Sequence, residues 1–413
     1  MTPEEILAHW AEANATYGFD PIAGDRQAEA FLYNLPAEQA AIRANIEGLQ
    51  RVREAHPAFF EAFDYAWAFE PRVYRHGIEA NLQTRAIQLL APLHANPTTP
   101  VGLRYGDVVV RYTFEASTEP CTPFHIPFRD IHFVVSPFSF QEFVLLLTRA
   151  FIDSVAGATG GWSGFSSFQA FGEETSPFLR QALLRALTSE AFHPGFPGES
   201  PVDAAKRQSA WFSVAREGAE VDESIEVPLT FSLMDFALAH ELGHVLHAHS
   251  GQTREADLRL EMEQDADVMG FALYTSSWGW RDEVLDGCPM NPGPRILLGP
   301  LMFHLFIKWH LALRQGLAYR KLSDRQEVSA RRVSQLRQDA GDSKARTDVA
   351  LLQLSAYEAQ IRRRNAVFTQ EDTSLYSGIA RAGAAFALHI FKSVLAIPED
   401  DYELARSLGE IGY

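Results

Sequence analysis

The segment Ala239-His240-Glu241-Leu242-Gly243-His244-Val245-Leu246-His247 constrains this chain more than any other. Its apolar spacing predicts a helix, and the helix is expected to start near Ser232, with Asp235 in its cap, and to stop at Ser250-Gly251. On a helix, positions i and i+4 share a face, so His240 and His244 can present their imidazole nitrogens to one metal ion. Zinc accepts nitrogen and carboxylate ligands and leaves a position open for water. Glu241 lies about 100° round the helix, beside such an ion rather than on it. There a carboxylate can take a proton from the zinc-bound water and pass it to a leaving amine. The composition alone would produce an HExxH somewhere with a probability of roughly 0.04, so the helical context carries as much weight as the motif.

A third ligand has to come from elsewhere in the chain. Between His244 and Glu263 lie 18 residues, enough to end one helix, turn, and start a second one antiparallel to it. That second helix carries Glu261-Met262-Glu263-Gln264-Asp265-Ala266-Asp267-Val268-Met269-Gly270. Two pairs fit one helix face, Glu261 with Asp265 and Glu263 with Asp267. Either supplies a ligand plus a carboxylate that accepts the far N–H of a ligating histidine. Periodicity does not choose between them.

His-Glu-Leu-Gly-His followed by Glu-Gln-Asp-Ala-Asp-Val-Met-Gly resembles the gluzincin metallopeptidases. It is most similar to the pattern of the M48 peptidases, where a small residue precedes the Asp and a Gly follows it three positions on. Ala266 and Gly270 match those places, and His249 matches a further histidine five residues beyond the motif. The resemblance implies Glu263 as third zinc ligand, Asp267 as the carboxylate behind a ligand histidine, and peptide-bond hydrolysis. It covers residues 236–274 only. The spacing of the two motifs is closer to thermolysin-like enzymes than to many M48 members. The intracellular ImmA-like proteases and the phage-exclusion protease Lit also carry HExxH.

Other polar residues are weighed against this core. His247, at i+7 from His240, is expected to neighbour the ligand face, and His249 falls about 180° away on a straight helix. A donor for the developing oxyanion is also required. Tyr274, Arg295, His304 and His310 are the candidates, with packing histidines as the alternative for the last two.

Charge and cysteine content narrow the remaining possibilities. Lys and Arg total 36 against 53 Asp and Glu, a net charge of −17, which argues against nucleic acid as a partner. Cys121 and Cys288 form no disulfide framework, which suits a reducing, cytoplasmic setting. Thr2-Pro3-Glu4-Glu5 reads as a helix start rather than a secretory leader. The apolar stretches 296–313 and 379–397 contain central Lys, Arg and His residues and are expected to be buried helices, not membrane spans.

The expected fold is α+β and predominantly helical, with a zincin-like catalytic core and a small antiparallel β-sheet. It divides into an N-terminal helical region (1–100), the core (101–290) and a C-terminal helical region (291–413). Residues 103–114 read as a β-hairpin and 131–135 as a further strand. Ser139 with Glu142 reads as a capping box, 156–172 as a loop, 221–230 as extended, and 323–365 as a solvated helical hairpin broken at Gly341. The function this implies is a zinc metallopeptidase with one Zn²⁺ per chain, Glu241 as base, and a protein or peptide substrate. Two alternatives stay open: a catalytically inactive, zinc-stabilised binding or regulatory module, and a membrane-associated protease of M48 type.

Overall fold

The structure, a computed structural model, describes residues 1–18, 36–94, 107–113, 123–156, 161–172, 174–180, 182–183, 222–247, 256–277, 288–324, 352–364 and 367–398. The chain groups into two compact units that interleave along the sequence. The described residues of the first come from Met1–Gln141 and Asp235–Trp280, and those of the second from Glu142–Phe192, Phe212–Met234 and Arg281–Tyr413.

In the first unit, α1 (Pro3–Tyr17) begins on the expected capping box. Glu5 N–H donates to Thr2 Oγ1 at 3.2 Å and Thr2 N–H to Glu5 Oε2 at 2.7 Å. Gly18 ends the helix at φ 72°, a conformation that costs glycine little. Helix α2 (Pro36–Ala55) packs against α4 (Gly77–His94), with the short α3 (Pro57–Ala62) between them in sequence.

A three-stranded sheet follows: β1 (Asp107–Thr113), β2 (Phe124–Phe128) and β3 (Ile131–Pro137), in the order β1-β3-β2. β2 and β3 form an antiparallel hairpin whose turn holds Arg129 at φ 55°. β1 runs parallel to β3, Val110 opposite Val134. The sheet is therefore mixed, which corrects the expectation of an antiparallel one. A parallel pair needs a crossover connection, and here the intervening chain carries β2, which takes the far edge of β3. The first arm of the expected hairpin, 103–105, lies outside the described residues.

The outer edge of β1 is covered by side chains of α4, one turn apart. Gln83 Nε2 donates to Val108 O (3.1 Å) and Gln83 Oε1 accepts from Val110 N–H (2.7 Å). Glu79 Oε1 accepts from Tyr112 N–H (3.3 Å) and from the buried Arg111 guanidinium (3.3 Å). This satisfies backbone groups that an open edge would leave exposed, and leaves β2 as the other edge strand.

Helix α7 (Glu223–Leu246) runs further toward the N-terminus than expected. Residues 223–230, expected to be extended, are helical: the helix starts at Glu223, and Asp222 Oδ1 accepts from Ser224 N–H at 3.0 Å, while Val221 lies outside the described residues. Ser232 and Asp235 are interior positions. Pro228 lies inside the helix, where its missing N–H removes one backbone bond. The buried positions Ile225, Leu229, Leu233 and Phe236 keep helical spacing through it and outweigh that loss. Every residue from Asp235 to Leu246 is buried. Asp235 carries an ion pair with Arg85 of α4 at 3.4 Å. Helix α8 (Ala256–Ser276) also packs against α4.

In the second unit, α5 (Phe138–Ala156) starts one residue before Ser139; the short α6 (Ser163–Ser166) lies within the stretch read as a loop. The turn α9 (Pro292–Arg295) leads to α10 (Leu298–Asp324), which packs against α11 (Gln370–Ala396). Their core is aromatic: Trp309 lies 4.9 Å from Phe151 and 5.2 Å, edge-on, from Phe386. Trp309 Nε1–H donates to Gly383 O at 2.8 Å. Two helical segments, Pro292–Leu317 and Gln370–Ala396, are long and apolar enough to cross a membrane by length and composition alone. Gly341 lies outside the described residues, while 352–363 is helical.

Candidate metal centre

Helices α7 and α8 bring their polar faces together because two glycines and an alanine let the backbones approach. A Cβ on Gly243 would sit 2.5 Å from Ala266 O, and one on Gly270 would sit 3.0 Å from His240 Cα. Ala266 and Gly270, which the sequence offers only as motif letters, thus have a steric reason. Larger side chains there would push Glu263 away from the histidines.

The result is a cluster of three donors. His240 Nε2 and His244 Nε2 lie 3.2 Å apart. The Glu263 oxygens lie 3.3 Å from His240 Nε2 and 3.8 Å from His244 Nε2. Tetrahedral zinc with ligand bonds near 2.05 Å requires donor separations of about 3.4 Å. The set therefore fits one zinc ion in size, in ligand type and in number, three donors leaving the fourth tetrahedral position to a non-protein ligand. His240 Nδ1 lies 2.8 Å from Asp267 Oδ1. That contact places a ring proton on Nδ1 and turns Nε2 toward the cluster. Burial disfavours the charged form of His240, but the hydrogen bonds and charges of Asp267 and Glu263 prevail and raise its pKa to about 10. The field that holds this proton is the field a cation would meet.

Glu241 is buried, and His125 Nδ1 lies 3.9 Å from its Oε2. His125 belongs to β2, and its ring is stacked on His244 with centroids 5.4 Å apart and planes 12° apart. Sequence reasoning did not find this residue. Phe124-His125-Ile126-Pro127-Phe128 shows no metal-ligand spacing, and His125 stands more than a hundred positions before the Glu241 and His244 that it meets.

The remaining candidates are not among the three clustered donors. Glu261 and Asp265 are exposed on α8 and outside the donor cluster. Tyr274 is buried and packs edge-on against Phe236 at 5.8 Å. His247 is exposed in the turn after α7, and His249 lies outside the described residues. Arg295, His304 and His310 belong to the second unit. There Arg295 donates to the carbonyls of Met290 and Cys288 and so ties the turn before α10. Burial and the Arg314 charge lower the His310 pKa to about 4, which keeps that ring neutral.

No protein family, curated protein or solved structure matches this chain. The functional reading stands on the site's own residues.

Proposed function

We propose that this chain is a zinc-dependent metallopeptidase of gluzincin type, with the first unit as a zincin-like catalytic core. The observation that carries the reading is the convergence of His240, His244 and Glu263 at zinc-ligand separations, with Asp267 behind His240. Bound zinc supplies a Lewis acid for the scissile carbonyl and lowers the pKa of a water. Glu241 accepts the proton of that attacking water and delivers it to the leaving nitrogen. Asp267 holds the His240 tautomer and ring plane. The substrate is a protein or peptide. Burial of 61% and 50% of the most apolar windows of Pro292–Leu317 and Gln370–Ala396 supports core helices rather than membrane spans.

The test is the metal content of the purified full chain by elemental mass spectrometry, together with cleavage of labelled casein. Wild type is expected to hold about one zinc, which His244→Ala and Glu263→Ala lose and Glu261→Ala keeps. A wild type that takes up no zinc after reconstitution would overturn the reading. Full zinc with no cleavage of casein or a broad peptide library would leave the zinc-stabilised binding module in its place.

A further inference from the structure

A carboxylate that acts as a base needs one oxygen free for the proton and the side chain held in one orientation. Glu241 has three side-chain torsions to fix. Among the described residues, the polar group recorded against its carboxylate is the His125 imidazole, Nδ1 to Oε2, at 3.9 Å. The two side chains are only 7% and 11% exposed. The opposite relation of the same ring is with a ligand: it stacks on His244 at 5.4 Å. His125 is itself held by the strand register, opposite Val134 in the β2–β3 hairpin, so its backbone does not depend on the site. A separation of 3.9 Å is too long for a direct hydrogen bond. It suits an ion pair or one bridging water, and contacts of this kind at a catalytic carboxylate shorten when substrate excludes solvent.

We propose that His125 is the positioning residue of this site. Its Nδ1 edge draws Oε2 of Glu241 to one side, which leaves Oε1 to take the proton. The inference rests on the metallopeptidase reading and extends it to a residue outside both motifs. The role depends on a nitrogen at the Nδ1 place, and that separates three substitutions. Asparagine keeps an amide nitrogen near Nδ1, glutamine moves it toward Nε2, and phenylalanine keeps the stacked ring without any nitrogen.

The experiment is a double-mutant cycle on the zinc-reconstituted full chain. The probe is acetohydroxamate, which chelates zinc and offers N–H and O–H donors to a neighbouring carboxylate. Zinc content is expected to be the same in wild type, His125→Phe, His125→Asn, His125→Gln and Glu241→Gln. His125→Phe is expected to weaken acetohydroxamate by about tenfold in the wild-type background and by no more than about twofold in the Glu241→Gln background. His125→Asn is expected within about threefold of wild type, with His125→Gln nearer to His125→Phe. On casein peptides, His125→Phe is expected to lower kcat and leave KM unchanged. Equal weakening in both backgrounds, equal behaviour of the Asn and Phe variants, or zinc loss in His125→Phe would overturn the proposal. Should His125→Phe fail to fold, the Asn and Gln pair carries the same test. A wild type that binds zinc and acetohydroxamate but cleaves no peptide ends the peptidase reading, and the cycle still decides the part His125 plays. A wild type without zinc removes both.

Discussion

Two helix pairs in this molecule solve the same packing problem with opposite side chains. α7 with α8, and α10 with α11, each place glycines where a Cβ would meet the neighbouring helix. In the second pair the enclosed space is filled by Trp309, Phe386 and Leu305, with one hydrogen bond from indole to backbone. In the first it is filled by His240, His244 and Asp267, with Glu241 at the margin, all of them buried. Apolar filling is the stabilising choice, since removing imidazoles and carboxylates from water costs free energy that their pairing only partly offsets. That α7 and α8 keep such groups, in mutual register, supports the metal-binding role proposed for them.

The contrast is expected to be sharpest at Glu241. Glu241→Gln is expected to lower turnover by about 10²–10⁴-fold while leaving zinc content and melting temperature as in wild type. A melting temperature several degrees lower would make Glu241 a packing residue and break the comparison. Trp309→Ala acts on the other pair and reverses the pattern. It is expected to cost about 3–5 kcal/mol in urea denaturation, without changing zinc stoichiometry in the folded fraction.

Smaller substitutions compare the close approaches themselves. An added methyl at Gly243 meets the Ala266 backbone, whereas one at Gly383 meets the end of the Leu305 side chain. Gly243→Ala is therefore expected to destabilise by about 1–3 kcal/mol and to reduce zinc affinity, with Gly383→Ala affecting stability less and zinc not at all. Calorimetric melts beside zinc titrations check both, and equal effects would deny the backbone contact its role. Asp267→Asn is expected to weaken zinc by about 10–100-fold through the loss of the carboxylate behind His240.

The smallest effect concerns pH. In the metal-free protein the His240 pKa is raised from 6.5 to about 10. The folded state thus holds that proton more tightly than the unfolded chain. The stabilisation is complete below pH 6.5 and disappears as pH rises through 10. Melting temperatures of the metal-free protein are expected to fall over that interval, and to fall less in Asp267→Asn. An identical pH profile in the two proteins would separate Asp267 from the His240 proton.

Local chemistry accounts for what was legible in the chain. The capping box of α1 needs only Thr2, Pro3 and Glu5, and it forms as read. The pairing of His240 with His244 follows from one helical turn. The Glu263 register, which helical periodicity left level with Glu261, follows once a small residue at 266 and glycine at 270 are given the contact they serve. The start of α7 was misplaced because Val227, Pro228 and Thr230 have weak helical preference. Burial of Ile225 and Leu229 overrides that preference, and it depends on packing that adjacent residues do not encode.

The sequence by itself determined the pairing of His240 with His244, because positions i and i+4 on one helix face are separated by a fixed turn; it left Glu263 level with Glu261. Tertiary structure decided three further matters. It set β1 parallel to β3, closed the free edge of β1 with Glu79 and Gln83, and brought His125 from β2 to Glu241 and His244. Each joins residues distant in the chain, and contacts of that kind follow from how helices and strands share buried surface, not from any local pattern.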